Sequence, residues 1–115
     1  MDAVDIRAHA RYISISAQKV RLVVDLVRGK SVLEALSILK FTTNRAAHPV
    51  SKVIASAMAN AEENYGVSRD DLFIYQIFAD EAPTRRWRRF GARGRFKPIL
   101  KRSSHVTVVL REREE

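Results

Sequence analysis

The most regular apolar pattern in the chain is Val50, Val53, Ile54, Ala57 and Ala61, which recur three and four residues apart through "PVSKVIASAMANAEENYG" and predict an amphipathic helix. Gly66 is placed to end it, and Pro49 fits only its first turn, so the start is predicted between Asn44 and Pro49. Val20, Val23, Val24 and Val27 predict an earlier helix through "AQKVRLVVDLVR", with Ser16 as N-cap and Gly29 as a left-handed cap. Between the two, Ser31 and Glu34 have capping-box spacing in "SVLE". Leu33, Leu36 and Leu39 carry the apolar face onward, which predicts a short helix of roughly two to three turns. The alanines of the long helix allow close approach, as a small three-helix layer requires.

Other runs have a strand's period. "HARYISIS" alternates, with Ala10, Tyr12 and Ser14 on one side and Arg11, Ile13 and Ile15 on the other, and predicts a short strand or extended arm. "LFIYQIFAD" and "SHVTVVL" are rich in aromatic and β-branched residues and predict two further strands. Helices first and strands late predict an α+β class: three helices packed on a small antiparallel β-sheet with a long protruding β-hairpin. The hairpin follows from length, because 80–104 is too long for a structureless loop in a compact domain. Both late strands are therefore expected to run on as a ribbon, turning near 91–94, with arms that reach about 30 Å at about 3.3 Å per residue. The whole chain, 1–115, is one domain in this reading: a body of about 1–79 and 105–115, and a ribbon of about 80–104.

Charge changes the picture of that ribbon. The chain has a formal net charge of +8, from 21 Lys and Arg against 13 Asp and Glu. Nine of the basic residues lie between Thr84 and Arg102, where no acid occurs, and the other 12 are slightly outnumbered by all 13 acids. A near-neutral body with one concentrated cationic segment is expected to meet a polyanion there. The chain has no cysteine, which excludes disulfides, thiolate metal sites and cysteine nucleophiles. The opening "MDAVDIRAHARY" carries acids where a secretory signal would not, and no apolar run has spanning length, so a soluble chain is expected.

In an extended "RRWRRF", Arg85, Trp87 and Arg89 share one face, and Arg86, Arg88 and Phe90 the other. Guanidinium forks bind phosphates and, with indole, stack on unpaired bases, while Gly91 and Gly94 permit close backbone approach. With no core of their own and like charges on both strands, the arms are expected to order only against that partner. A second basic group, Lys19, Arg21, Arg28 and Lys30, surrounds the first helix and is by itself ordinary helix surface. Asp70 with Asp71, and Asp80 with Glu81, sit at strand ends, where acids serve turns and solubility. His9 and His105 are expected on the surface or against a partner and His48 at a helix start; none has metal-ligand spacing. A competing class is the architectural DNA binder, whose paired arms would drive Pro98 or Trp87 into a minor groove as a dimer. An enzyme comes last, for want of a nucleophile arrangement or a pocket-forming glycine motif.

Four blocks, "SAQKVRLVVDLVRGKSVLEAL", "KVIASAMANAEEN", "DEAPTRRWRRFGARGR" and "ILKRSSHVTVVL", closely resemble in order the bacterial large-subunit ribosomal protein twenty-two family. The resemblance implies a body near the polypeptide exit and a hairpin running inward along 23S ribosomal RNA, its tip in the exit-tunnel wall. It implies early binding to 23S rRNA during assembly and no catalysis. The residues it marks for rRNA are Lys19, Arg21, Arg28, Lys30, Arg85, Arg86, Trp87, Arg88, Arg89, Arg93, Arg95, Lys97, Lys101, Arg102 and His105. The implied tip is Phe90, Gly91, Ala92, Arg93 and Gly94. Here "FGARGR" keeps the family's Ala, basic residue, Gly-Arg half and lacks its preceding Pro-Arg. Implied partners are 23S rRNA, neighbouring large-subunit proteins and the nascent polypeptide. No cofactor, metal or membrane is implied, and the protein is expected to be a cytoplasmic monomer within the ribosome.

Overall fold

The computed structural model describes residues 4–83, 85–90 and 96–113, with backbone alone for 85–90 and 96–101. Strand β1 (Ile6–Ile13) leads into helices α1 (Ala17–Val27), α2 (Val32–Lys40) and α3 (Ala47–Tyr65). A single 3-10 turn (Arg69–Asp71) then feeds β2 (Leu72–Glu81), β3 (Arg85–Phe90), β4 (Phe96–Lys101) and β5 (Ser104–Glu112). The antiparallel body sheet has the order β1-β5-β2, while β3 and β4 pair with each other as a two-stranded ribbon. The α+β expectation holds, with a third strand, β1, on the sheet.

The helices cover one face of the body sheet. Val20, Val23, Val24 and Val27 of α1 and Val50, Ile54, Ala57 and Ala61 of α3 are buried against Ile74, Ile77, Val106, Val108 and Leu110. Each fully buried Val, Leu or Ile contributes roughly 1.5 to 3 kcal/mol of burial free energy, which makes this contiguous core the main support of the body. Gly66, at φ 64°, closes α3 as expected, and its N–H bonds Ala61 O. Pro49 lies in the first turn, where its missing N–H is harmless.

Four local expectations are corrected. Ser16 precedes α1 but its hydroxyl makes no cap bond; only its carbonyl is used, by Lys19 N and Val20 N at 3.1 Å each. Gly29, at φ 78°, has the anticipated conformation in a different motif. With Arg28 at φ −61°, ψ 129° and Lys30 N bonded to Val27 O at 3.1 Å, it completes a type II turn. In α2 the buried face is Val32, Ala35 and Leu39, whereas Leu33 is 42% exposed. Leu39 is buried and Leu36 packs on the core as expected, while Ile74 N bonding Lys30 O at 2.9 Å and the Ser31 bridge to Phe73 fix the helix start so that Val32 and Ala35, in place of Leu33, complete the face. In β1 the alternation breaks between Ala10 and Ile13, where the register against β5 shifts and Tyr12 takes φ 56°. The bulge lets both Ala10 and Ile13 pack on the core while Tyr12 stands 55% exposed.

Past the body, Ala82 N bonds Ser103 O at 3.0 Å, so pairing passes from β2 and β5 into β3 and β4. The passage from β2 to β3 carries one residue more than that from β4 to β5 between the pairs Glu81↔Ser104 and Arg85↔Lys101, a bulge that includes Pro83. The molecule spans 67 × 27 × 19 Å with a radius of gyration of 17.4 Å, against about 13 Å for a compact chain of this length. The expected ribbon is a continuous ladder from Arg85↔Lys101 to Phe90↔Phe96. The backbone reason is direct extension of a formed sheet, which spares the ribbon a separate nucleation. The expected turn at 91–94 lies outside the described residues.

Candidate nucleic-acid interface

The ribbon's register decides which charges share a face. Arg85 is opposite Lys101, Trp87 opposite Ile99 and Arg89 opposite Lys97, so these six positions alternate as one face holding four cations. The other face holds Arg86, Arg88 and Phe90 opposite Leu100, Pro98 and Phe96. Like charges directly opposite each other are destabilising in an antiparallel pair, and here two such pairs occur in one face. A ribbon of this kind is relieved by a polyanion laid along its cationic face, which is a mechanism for binding phosphates. The expected tip residues Gly91, Ala92, Arg93 and Gly94, and Arg95, lie outside the described residues.

The cations expected around α1 divide in two. Arg21 Nε donates to Ala79 O at 3.1 Å, and Arg28 Nη2 donates to Ile77 O at 2.9 Å. Strand β2 is an edge of the body sheet, and these two arginines, two helical turns apart, cover its outward carbonyls. Arg28 also pairs with Asp25 at 2.6 Å, and Lys30 stands 4.0 Å from Glu34. Lys19 and Arg102, by contrast, are exposed and line one groove of about 490 Å³ together with Arg45. Arg45 is the residue that sequence reasoning missed: it is isolated in the chain and comes beside Lys19 only through the fold.

His105 sits at the β1 bulge. Its Nδ1 accepts from Tyr12 N at 3.0 Å, and the two rings meet edge to face at 4.7 Å. His9 is exposed, with Nδ1 3.1 Å from Thr107 Oγ1. His48 is exposed near the start of α3. Asp70 and Asp71 belong to the 3-10 turn before β2, where Asp71 O accepts from Arg113 N. Among the described residues no three His, Asp or Glu converge as metal ligands. Nor, among those residues, is any helix long and apolar enough to cross a membrane.

On the sheet face away from the helices, Arg111 joins all three strands. Its guanidinium lies 3.4 Å from the Tyr75 ring centroid of β2 and hydrogen-bonds the Asp5 carboxylate just before β1. That bond is the chief cause holding the Asp5 carboxyl below its ordinary pKa, and the same contact raises that of Arg111. This cluster is neutralised within the protein and has no charge left to offer.

Comparison with known proteins gives the family. The family described as Ribosomal protein L22p/L17e matches residues 8–111. The chain is 51% identical over 109 residues to the large ribosomal subunit protein uL22 of Pediococcus pentosaceus, covering 95% of this chain and 92% of that one. It is 52% identical over 108 residues to the uL22 of a Thermoanaerobacter species, covering 94% and 97% respectively. With the uL22 of Desulfitobacterium hafniense it shares 51% over 109 residues, 95% of this chain and 96% of its relative.

Proposed function

The chain belongs to the ribosomal protein L22p/L17e family, and from that premise we propose that it binds 23S rRNA through its ribbon and supports early assembly of the large subunit. It is a structural protein of the large subunit of the cytoplasmic ribosome and not an enzyme. The observation that carries the rRNA reading is the ribbon's register, which sets Arg85 against Lys101 and Arg89 against Lys97 with no carboxylate between Thr84 and Arg102. Phosphates held along that face remove the repulsion, and the counterions they release drive binding.

In this reading the unit 80–104 is the RNA-penetrating element, and the rest of the domain anchors it near the polypeptide exit. Arg85, Arg86, Arg88, Arg89, Lys97, Lys101 and Arg102 neutralise phosphates, Trp87 stacks, and 90–94 borders the exit tunnel beside the nascent chain. Lys19 and His105 contact rRNA from the body, where neighbouring ribosomal proteins also abut it. Arg21, Arg28 and Lys30 contribute through whichever donors their contacts within the body leave over. The protein acts as a monomer.

The test is site-specific crosslinking in assembled large subunits, from a photoreactive group at Trp87 and another at Gly91. Crosslinks to 23S rRNA from the first, and to the nascent chain from the second, are expected. Crosslinks confined to the particle exterior would overturn the tunnel assignment.

A further inference from the structure

Two grooves of the body meet at Arg45. One, of about 490 Å³, is bordered by Lys19 at the start of α1, by Arg45 before α3 and by Arg102 at the root of the ribbon. The other, of about 590 Å³, runs between α2 and α3 and is bordered by Lys40, Arg45, His48 and Lys52. No Asp or Glu lines either groove. Elsewhere on the body Arg111 pairs with Asp5, Arg28 with Asp25, Lys30 with Glu34 and Arg69 with Glu62, Arg7 stands 3.9 Å from the same Asp5, and the remaining arginines, Arg11, Arg21 and Arg113, line neither groove. Lys19, Lys40, Arg45, Lys52 and Arg102 make no such pair among the described residues, and all five are exposed.

We propose that these grooves form one furrow for an RNA backbone, in which Arg45 is the shared phosphate contact, Lys19 and Arg102 lead towards the ribbon, and Lys40, His48 and Lys52 lead away from it. The inference rests on the rRNA reading above and adds to it a second binding surface. Five cations around a concave surface without a carboxylate repel one another, and a row of phosphates is the partner that relieves all of them at once.

The test measures binding of the full chain to a 23S rRNA transcript as a function of salt. The variant Arg45→Gln with Lys52→Gln is compared with Arg11→Gln plus Arg113→Gln, which removes the same charge from exposed sites outside the furrow. The furrow pair is expected to lower the salt slope by about 1 per residue, and the affinity at fixed salt on the order of tenfold. The control pair is expected to leave both near the wild-type values. Furrow and control variants that behave alike, while Arg85→Gln with Arg89→Gln still weakens binding, would overturn the furrow and leave the ribbon reading intact. A wild-type chain without salt-dependent binding to the transcript would instead overturn both. Acetylation of Lys40 and Lys52 needs no variant: the transcript should protect both. Protection by polyglutamate but not by the transcript would assign the furrow to an acidic protein and defeat the proposal.

Discussion

Gly29 stands at φ 78° with nothing within 4 Å of where a Cβ would be, so an added side chain there meets backbone strain and no steric clash. Gly29→Ala is expected to destabilise the body by about 1 to 2 kcal/mol, with Gly29→Asn milder, as urea unfolding midpoints would reveal. The Asp5 carboxyl makes a different prediction. Its pKa is lowered in the fold, chiefly by the Arg111 hydrogen bond, so its stabilising contribution is full above the ordinary carboxylate value of about 3.9 and is lost as pH falls through the lowered one. Asp5→Asn should therefore flatten the acid end of the stability profile, costing less below the lowered pKa than at pH 7. A variant with the same acid profile as the parent would show that the bond to Arg111 does not anchor β1.

At the scale of the element, two serines in similar sequence settings do different work. Ser31 Oγ accepts from Glu34 N at 3.3 Å, whereas Ser16 makes no side-chain cap. Ser31→Ala is expected to cost about 1 kcal/mol and Ser16→Ala clearly less, a contrast that thermal denaturation of the two variants would resolve. The period of α3 was legible because one long helix presents one face, and the ends at Pro49 and Gly66 carry their own backbone signals. The exposure of Leu33 at the start of α2 was not, since that start is set by the Lys30 and Ser31 contacts to β2, about forty residues away in the chain. The bulge at Tyr12 was hidden for the same reason: alternation is a local rule, and the register shift is a property of the pair. The ribbon could be found because its cations are contiguous. Arg45, Lys40 and Lys52 belong to a surface that exists only once α2 and α3 are side by side. Arg21 and Arg28 look like free surface cations until the edge carbonyls of β2 are seen beneath them.

For the molecule as a whole, stability and charge occupy different parts. Among the described residues, every member of the core cluster belongs to the body, while nine of the 21 basic residues, and no acid, lie between Thr84 and Arg102. The two parts meet where Ala82 N bonds Ser103 O, a pair that an Asn-Gly turn can close after removal of 83–102. Such a body would carry a net charge of −1 in place of +8. It is expected to unfold cooperatively, with a midpoint within about 5 °C of the parent, because the deletion exposes none of that core and shortens a ribbon that repels itself. Its binding to a 23S transcript should fall sharply, and what remains should fall on the order of tenfold further with Arg45→Gln and Lys52→Gln, since the furrow's cations other than Arg102 are retained. Calorimetry and the salt titration together separate the outcomes. Loss of a cooperative transition would mean that the ribbon helps hold the body together. A truncated body that binds as tightly as the parent would mean that the cationic excess has some other purpose than holding RNA.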